Sequence, residues 1–525
     1  MCWQKLLEDR GEFVRLRGHS WLMCLCWLSL PALASAAQAP EAPQPQHSQD
    51  AAPSPAVDAR PVVQGRLGNG LRYAILPRRA SEPGAGLFMQ VQGGFLAERR
   101  PGERGLAHLI EHLAFHSPTR SAPDELHWYR TIGLPLSFPE PAGGTTIWRE
   151  SDYYLVSRTT KPEDIEALLG LFRNVASELI FRADIVDEQR AEVMREMADK
   201  RAGNLISARY IAAVAPGSPN DVIDAQNSDD VPSASLDTIR TLYHRLYRPE
   251  NTSLVIVGDV DAGEIAALIE KRFGNWRGVG PAPGPAAVAT LRSDAVAPVS
   301  HSALPKGRRS AMITVASPLP PPARTKPQQA AAWLMDMLAM RAVNERLALR
   351  QGPGAPGKYG IFIENGEQGR HRLIMMWDDF APGGGQAAIA ALKRTACDLK
   401  TTGLSEHEWA GAKHYLLQDL EARATRMPNF EIARQIADEL AVGREPISPG
   451  EMLQHARAQL PRIGARAMNA WWRRQWSAGL EHIRVEAPEL ASVQDPGAAI
   501  RAAADGAVRN AGCKVPALSS GRPMN

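Results

Sequence analysis

The stretch Gly105-Leu106-Ala107-His108-Leu109-Ile110-Glu111-His112-Leu113-Ala114-Phe115-His116 carries the pattern H-x-x-E-H. On a helix, residues four apart share a face, so His108 and His112 can hold one metal ion between them. Glu111 stands beside His112 and three residues after His108, where it can reach a metal-bound water without being a ligand. The plainer alternative is a helix with two surface histidines and a solvated glutamate. Leu109, Ile110, Leu113 and Phe115 argue against it, because they leave little of the helix to face water. His116 extends the histidine stripe by another turn. Catalytic zinc takes three protein ligands and keeps one position open, so His116 reads as a neighbour or supporting group.

Two histidines do not complete such a site. A second helical stretch, ADIVDEQRAEVMREMADKRA (183–202), offers carboxylates: Gln189, Glu192 and Glu196 recur at helical spacing, as do Glu188, Glu192 and Glu196. A solvated acidic face has the same pattern, and the residues alone leave both readings open.

Outside these helices, composition narrows the options. Residues 1–36 read as a secretory signal: Lys5, Arg10, Arg15 and Arg17, an apolar run from Trp21 to Leu33, then Ala34-Ser35-Ala36. The expectation is export across an inner membrane to the periplasm. The alternative is an uncleaved membrane anchor, although the run is short for a span and contains Pro31. Removing the signal leaves only Cys397 and Cys513 of five cysteines, which is no disulfide scaffold and leaves their pairing open. The formal net charge is +3 with no Lys/Arg block, so no nucleic-acid partner is expected.

Residues 37–61, rich in Ala, Pro and Gln, cannot bury a core and read as a tether. From 62 to 487 about 430 residues then remain, comfortable for two domains. The first spans 62–277. It opens with strands at Val62–Leu67 and Leu71–Leu76 around the turn Gly68-Asn69-Gly70, and Leu87–Gln92 is the next strand. After the metal helix come a helix around Pro123–Ile132, a strand at Tyr153–Ser157, and helices from Pro162 to Leu179 and through Glu196. The polar stretch 217–235 lacks periodicity and reads as a surface loop. Leu236–Leu246 is an amphipathic helix, Leu254–Val257 a strand, and Asp261 caps a further helix, with Glu264 three positions on. A Pro/Gly/Ala-rich linker occupies 278–299. The second domain, 300–487, again reads as strands first (Arg309–Ala316, Lys358–Glu364, Arg372–Trp377), with a long helix at Gln328–Leu349. Helices then fill the region to about Trp476, with Ser405 and Glu408 as a capping box. His482–Val485 closes the domain as a last strand, and 488–525 reads as a weakly ordered tail.

In this order the segments resemble the pitrilysin/insulinase family of zinc metallopeptidases, peptidase family M16. LGNGLRYAIL (67–76) is similar to the family's opening strands. GGFLAERRPGERGLAHLIEHLAFHS (93–117) is similar to its metal helix and the approach to it. TLYHRLYRPENTSLVIVGDVDAGEIAALIEKRFGNW (241–276) resembles the stretch that closes its first domain. The resemblance implies an α+β fold of two related α/β domains, each a mainly antiparallel sheet packed with helices, facing each other across a cavity. It also implies one zinc ion per chain, held by His108, His112 and a Glu, with Glu111 as base. Aligning Arg190 with the arginine of the family's Glu-Arg pair makes Glu196 the third ligand, and Glu192 stays the runner-up. The family's earlier Glu is Gln189 here, a supporting residue of the metal site. Its substrate-contacting Asn is Gly143, in GGTTIWRESDYYLV (143–156). Arg350 and Tyr359 are the matches for the Arg and Tyr by which the second domain helps hold substrate.

The activity implied by the resemblance is that of a zinc metalloendopeptidase acting on unfolded peptides or small proteins, which add as a strand to a sheet edge near the metal. A homodimer or a heterodimer with another such chain is expected. The alternative is a non-catalytic peptide-binding or partner subunit, which Gln189 and Gly143 favour and the complete H-x-x-E-H opposes.

Overall fold

The computed structural model describes residues 58–79, 83–126, 133–137, 141–147, 149–214, 228–282, 299–303, 309–323, 325–351, 359–365, 371–477 and 479–510. The signal segment 1–36, most of the 37–61 tether, Cys513 and most of the 278–299 linker lie outside them.

Strands β1 (Val63–Arg66) and β2 (Arg72–Pro77) form an antiparallel hairpin about Gly68-Asn69-Gly70. Gly70 takes a φ of 98°, which glycine adopts without strain. Asn69 locks the turn to a later element: its amide donates to the carbonyls of Phe273 (2.7 Å) and Trp276 (3.1 Å). The first sheet runs β1-β2-β8-β3-β7-β6, with β3 (Ala85–Gln92), β6 (Ala142–Thr146), β7 (Glu150–Ser157) and β8 (Thr252–Gly258). Only β2 and β8 pair in parallel. β3 and β8 are apolar and buried along nearly their whole length, the pattern of strands covered on both faces. One face carries helices α1 (Leu106–His116), α2 (Pro162–Ser177), α3 (Ala183–Val214), α4 (Leu236–Leu246) and α5 (Ala262–Phe273).

The second half repeats the plan. β9 (Val299–Ser302), β10 (Ser310–Pro318), β11 (Tyr359–Asn365), β12 (His371–Asp379) and β13 (Leu480–Glu486) form a sheet of order β9-β13-β10-β12-β11. This is β2-β8-β3-β7-β6 again, with the one parallel pair, β9 with β13, where β2 meets β8. The long helix α6 (Lys326–Gln351) stands where α1 stands in the first half, between the third and the edge strand of the repeat. Helices α7 (Gly385–Lys400), α8 (Glu406–Arg426), α10 (Pro449–Gln459) and α11 (Ala465–Ser477) complete the second core. Cys397 on α7 is half of a disulfide whose other half lies outside the described residues.

Helix α9 (Asn429–Ala441) of the second half covers the outer face of the first sheet, packing Ile432, Ala433, Ile436 and Leu440 on Ala74, Leu76, Phe88, Val255 and Val257. A Cβ on Gly86 would fall 2.2 Å from the Phe430 backbone nitrogen, so the helix approach needs glycine there. Arg78 donates to the Met427 carbonyl (2.9 Å) and to Asn429 Oδ1 (2.8 Å), and Asn429 donates back to the Gly84 carbonyl (3.1 Å).

Four expectations are corrected. Pro123–Leu126 is not helical: β4 (Pro118–Thr119) and β5 (Ala122–Leu126) fold back on each other, because APDEL has no apolar stripe to bury and backbone pairing takes over; residues 127–132 lie outside the described residues. The second sheet begins inside the expected linker, since β9 finds a parallel partner in β13. The end of the 217–235 loop is tucked in, with Val231 fully buried and Arg190 donating to the Val231 and Ala234 carbonyls. Within the expected 488–525 tail, helix α12 (Pro496–Asn510) packs on α7 and sinks Ile500 and Ala504 into the second core.

Candidate metal centre

The metal helix is held at its first turn. Gly105, at φ 87°, turns the chain into α1, and Glu98 accepts from the Gly105 (2.8 Å) and Ala107 (2.7 Å) backbone N–H groups. These are orphan donors of a helix N-terminus, where a carboxylate also meets the favourable end of the dipole. Burial, reinforced by the Glu103 and Asp230 charges, nonetheless pushes the Glu98 carboxyl up to about 8. Buried Glu103 braces the same turn. It receives both Arg245 guanidinium nitrogens (2.7 and 2.6 Å) and the Arg99 and Arg100 N–H groups.

From this support α1 presents His108, Glu111 and His112 toward α3. His112 Nε2 lies 3.3 Å from Glu196 Oε2, and His108 Nε2 lies 3.7 Å from the same oxygen. One ligand atom from each of His108, His112 and Glu196 falls within 4.8 Å of the others. Tetrahedral zinc with bonds near 2.0–2.1 Å sets its ligand atoms about 3.4 Å apart. The donor set and its spacing therefore fit that ion. The two imidazoles stand edge to face, with centroids 4.9 Å apart. Burial pushes the His112 pKa down, but the Glu196 and Glu111 carboxylates outweigh it and leave it raised; the cluster is built for positive charge. Gln189, buried on α3, puts its Oε1 3.4 Å from His112 Nδ1. A proton on Nδ1 facing that oxygen leaves the Nε2 lone pair turned toward Glu196 and His108.

The remaining candidates divide. Glu111 Oε2 is 3.9 Å from His108 Nε2, beside the three ligand atoms. Glu192 pairs with Arg195 and stays outside the cluster. His116 Nδ1 meets the His112 carbonyl at 2.8 Å, and burial holds its pKa down. Gly143 and Gly144 lie on β6, the edge strand of the first sheet. A Cβ on Gly143 would press on the Tyr154 ring at 2.6 Å, and one on Gly144 would meet Glu111 Oε1 and Phe115 Cε2, each at 2.9 Å. The residue nearest the base on this edge is therefore Gly144. Tyr359 opens β11 and packs against the second core. Arg350 belongs to α6, but its side chain lies outside the described residues. Sequence reasoning missed four neighbours of the cluster: Glu98, Gly144, Tyr153 and Tyr247. The doubled glycine was a visible signal of close backbone approach; the tyrosines, distant in sequence, gave none.

A profile of the family domain described as "Peptidase M16 inactive domain" matches residues 233–416. The chain is 27% identical over 219 residues to the probable zinc protease PqqL of Escherichia coli strain K12, covering 40% of this chain and 22% of that protein. It is likewise 27% identical over 219 residues to a zinc protease PQQL-like protein of Arabidopsis thaliana, covering 41% and 22%. Among solved structures, the periplasmic protease PqqL of Escherichia coli superposes with a TM-score of 0.69 at 20% identity, over 90% of this chain and 52% of that one. The ferredoxin protease FusC, in complex with Arabidopsis ferredoxin, superposes with a TM-score of 0.64 at 15% identity, over 89% and 52%. This chain thus spans about half of those two solved proteases, and its matched segment is under a quarter of its curated relatives. Domain match, relatives and fold agree in one likeness: residues 233–416 match a peptidase M16 domain, and the chain is similar to zinc proteases that share this fold.

Proposed function

We propose that this chain is a zinc-dependent metalloendopeptidase acting on unfolded peptides in the periplasm. The observation that carries the reading is the convergence of His108, His112 and Glu196 with Glu111 beside them. Bound there by those three side chains, zinc would supply Lewis acidity and a water acidified enough to attack at neutral pH. Glu111 is placed to take a proton from the attacking water and return it to the leaving amine nitrogen. Gln189 orients His112. The outer edge of β6 offers backbone groups to an extended peptide, and with glycine at 143 and 144 the strand can approach without side chains in the way. This recognition suits unfolded chains better than folded ones, because the peptide must be free to extend.

Relatives named zinc proteases and a periplasmic structural neighbour support the reaction class and compartment. Action together with a second chain, the same or related, is part of this proposal. A peptide-binding subunit without activity is the second reading, favoured by neutral Gln189 in place of a carboxylate and by the absence of any side chain at Gly143. Cleavage of an unfolded polypeptide by the wild type and by Glu111→Gln, with zinc measured on both, separates the two. The peptidase reading expects zinc in both and hydrolysis only in the wild type; zinc in both with hydrolysis in neither points to a missing partner chain or to the binding subunit, and failure of a co-purifying homologue to restore cleavage would overturn the peptidase reading.

A further inference from the structure

Around Gly144, four elements meet. Glu111 and Phe115 of α1 close on the position a Cβ would take. Tyr153 of β7 pairs directly across from Gly144. Residues paired in this way project to the same face with Cβ positions about 5 Å apart, so the Tyr153 side chain leaves the sheet beside the base. Its ring lies 6.0 Å from that of Phe115. Its hydroxyl is bonded to the hydroxyl of Tyr247, the residue just after α4. Ser151, a neighbour of Tyr247, has its Oγ 3.0 Å from Thr146 Oγ1. Tyr153 and Tyr247 are both buried.

We propose that the Tyr153–Tyr247 hydroxyl pair is a positioning device for Glu111, holding its carboxylate toward the His108–His112–Glu196 cluster. The Tyr153–Tyr247 pair is buried on the Gly144 side of the sheet edge, so its dipoles are fixed before any peptide arrives. Such preoriented dipoles act strongly where water is excluded. Burial and the Glu111 charge push both tyrosine pKa values up, the Tyr247 phenol adding to this at Tyr153 and the Tyr153 hydrogen bond offsetting only part of it at Tyr247, so both keep their protons as neutral hydroxyl dipoles. Neither tyrosine touches the reacting atoms; they act through Glu111.

The proposal rests on the peptidase reading for its purpose, but its test does not need turnover. Binding of a hydroxamate peptide, whose acidic proton the base carboxylate holds, is measured by calorimetry on the zinc-loaded full chain. Wild type, Tyr247→Phe, Glu111→Gln and the double variant form a double-mutant cycle. Tyr247→Phe is expected to weaken binding about tenfold beside Glu111 and less than about twofold beside Gln at 111, with zinc content unchanged. Equal effects in both backgrounds, or none in either, would overturn the proposal. Tyr153→Phe runs the same cycle should Tyr247→Phe fail to fold. Where hydrolysis is present, kcat should fall with KM unmoved. A wild type that binds the hydroxamate yet cleaves no peptide, even beside a co-purifying homologue, would defeat the peptidase reading while leaving the cycle to decide this one.

Discussion

At the scale of single residues, the metal site turns on which carboxylate faces the histidines. Glu192 and Glu196 lie one turn apart on α3 and are chemically the same. Their difference is in company: Arg195 takes Glu192, and Glu196 meets both imidazoles. Glu196→Gln should therefore strip zinc from the purified protein, whereas Glu192→Gln should leave about one zinc per chain; metal analysis after dialysis against a weak chelator reads this directly. The reverse result would move the third ligand one turn back. Gln189 shows how a departure from a family pattern can keep part of a role. It accepts from His112 as a glutamate would, but adds no negative charge to raise the basicity of the ligand.

At the scale of the element, α1 is an apolar helix whose polar residues nearly all face one site. Its N-terminus is anchored by Glu98, and that anchor has a pH dependence. The folded-state pKa of about 8 lies above the ordinary carboxylate value of 4.5, so the folded state binds this proton more tightly than the unfolded chain. Between pH 4.5 and about 8 the unfolded chain releases the proton and the folded one keeps it, so stability falls as pH rises through that window. Glu98→Gln, which keeps a neutral acceptor, should flatten the decline; denaturant midpoints at pH 5, 6, 7 and 8 would show it. Parallel curves for the two proteins would mean that Glu98 is charged in the folded state. The neighbouring ion pair of Glu103 with Arg245 ties the lead-in to α4, so the metal helix is fixed from two directions.

At the scale of the whole molecule, the two halves share a sheet order but not a site. Where α1 meets α3 through His108, His112 and Glu196, their counterparts α6 and α8 meet through ion pairs of Arg341 with Asp419 and Arg346 with Glu408. The halves are coupled by α9, and its seat depends on a missing side chain at Gly86. Gly86→Val would drive a branched side chain into the Phe430 backbone, and a loss of about 1–3 kcal/mol is expected from overpacking. Chemical denaturation would measure the loss, and protease nicking near 427–441 should appear if α9 lifts. An unchanged midpoint would mean that the helix is not held by this contact.

Much of the architecture was legible in local pattern. The hairpin about Gly68-Asn69-Gly70, the amphipathic helix Leu236–Leu246, the capping box of Ser405 with Glu408, and the strand at 482–485 each carry their signal within a few residues. His108, Glu111 and His112 were readable for the same reason, since helical geometry alone brings them together. The features that only the tertiary structure decided involve partners far apart in the chain. Glu196 meets His112 across two helices, Val299–Ser302 becomes a strand only because Leu480–Glu486 is there to pair with it, and the 496–510 helix is ordered by a core built from residues near 400. Tyr247 meets the hydroxyl of Tyr153, which the sheet edge sets across from Gly144. Composition and periodicity report what a segment can bury or cap by itself. They are silent on which distant surface it will meet, and in this protein those meetings bring the third carboxylate and the two tyrosines to the site.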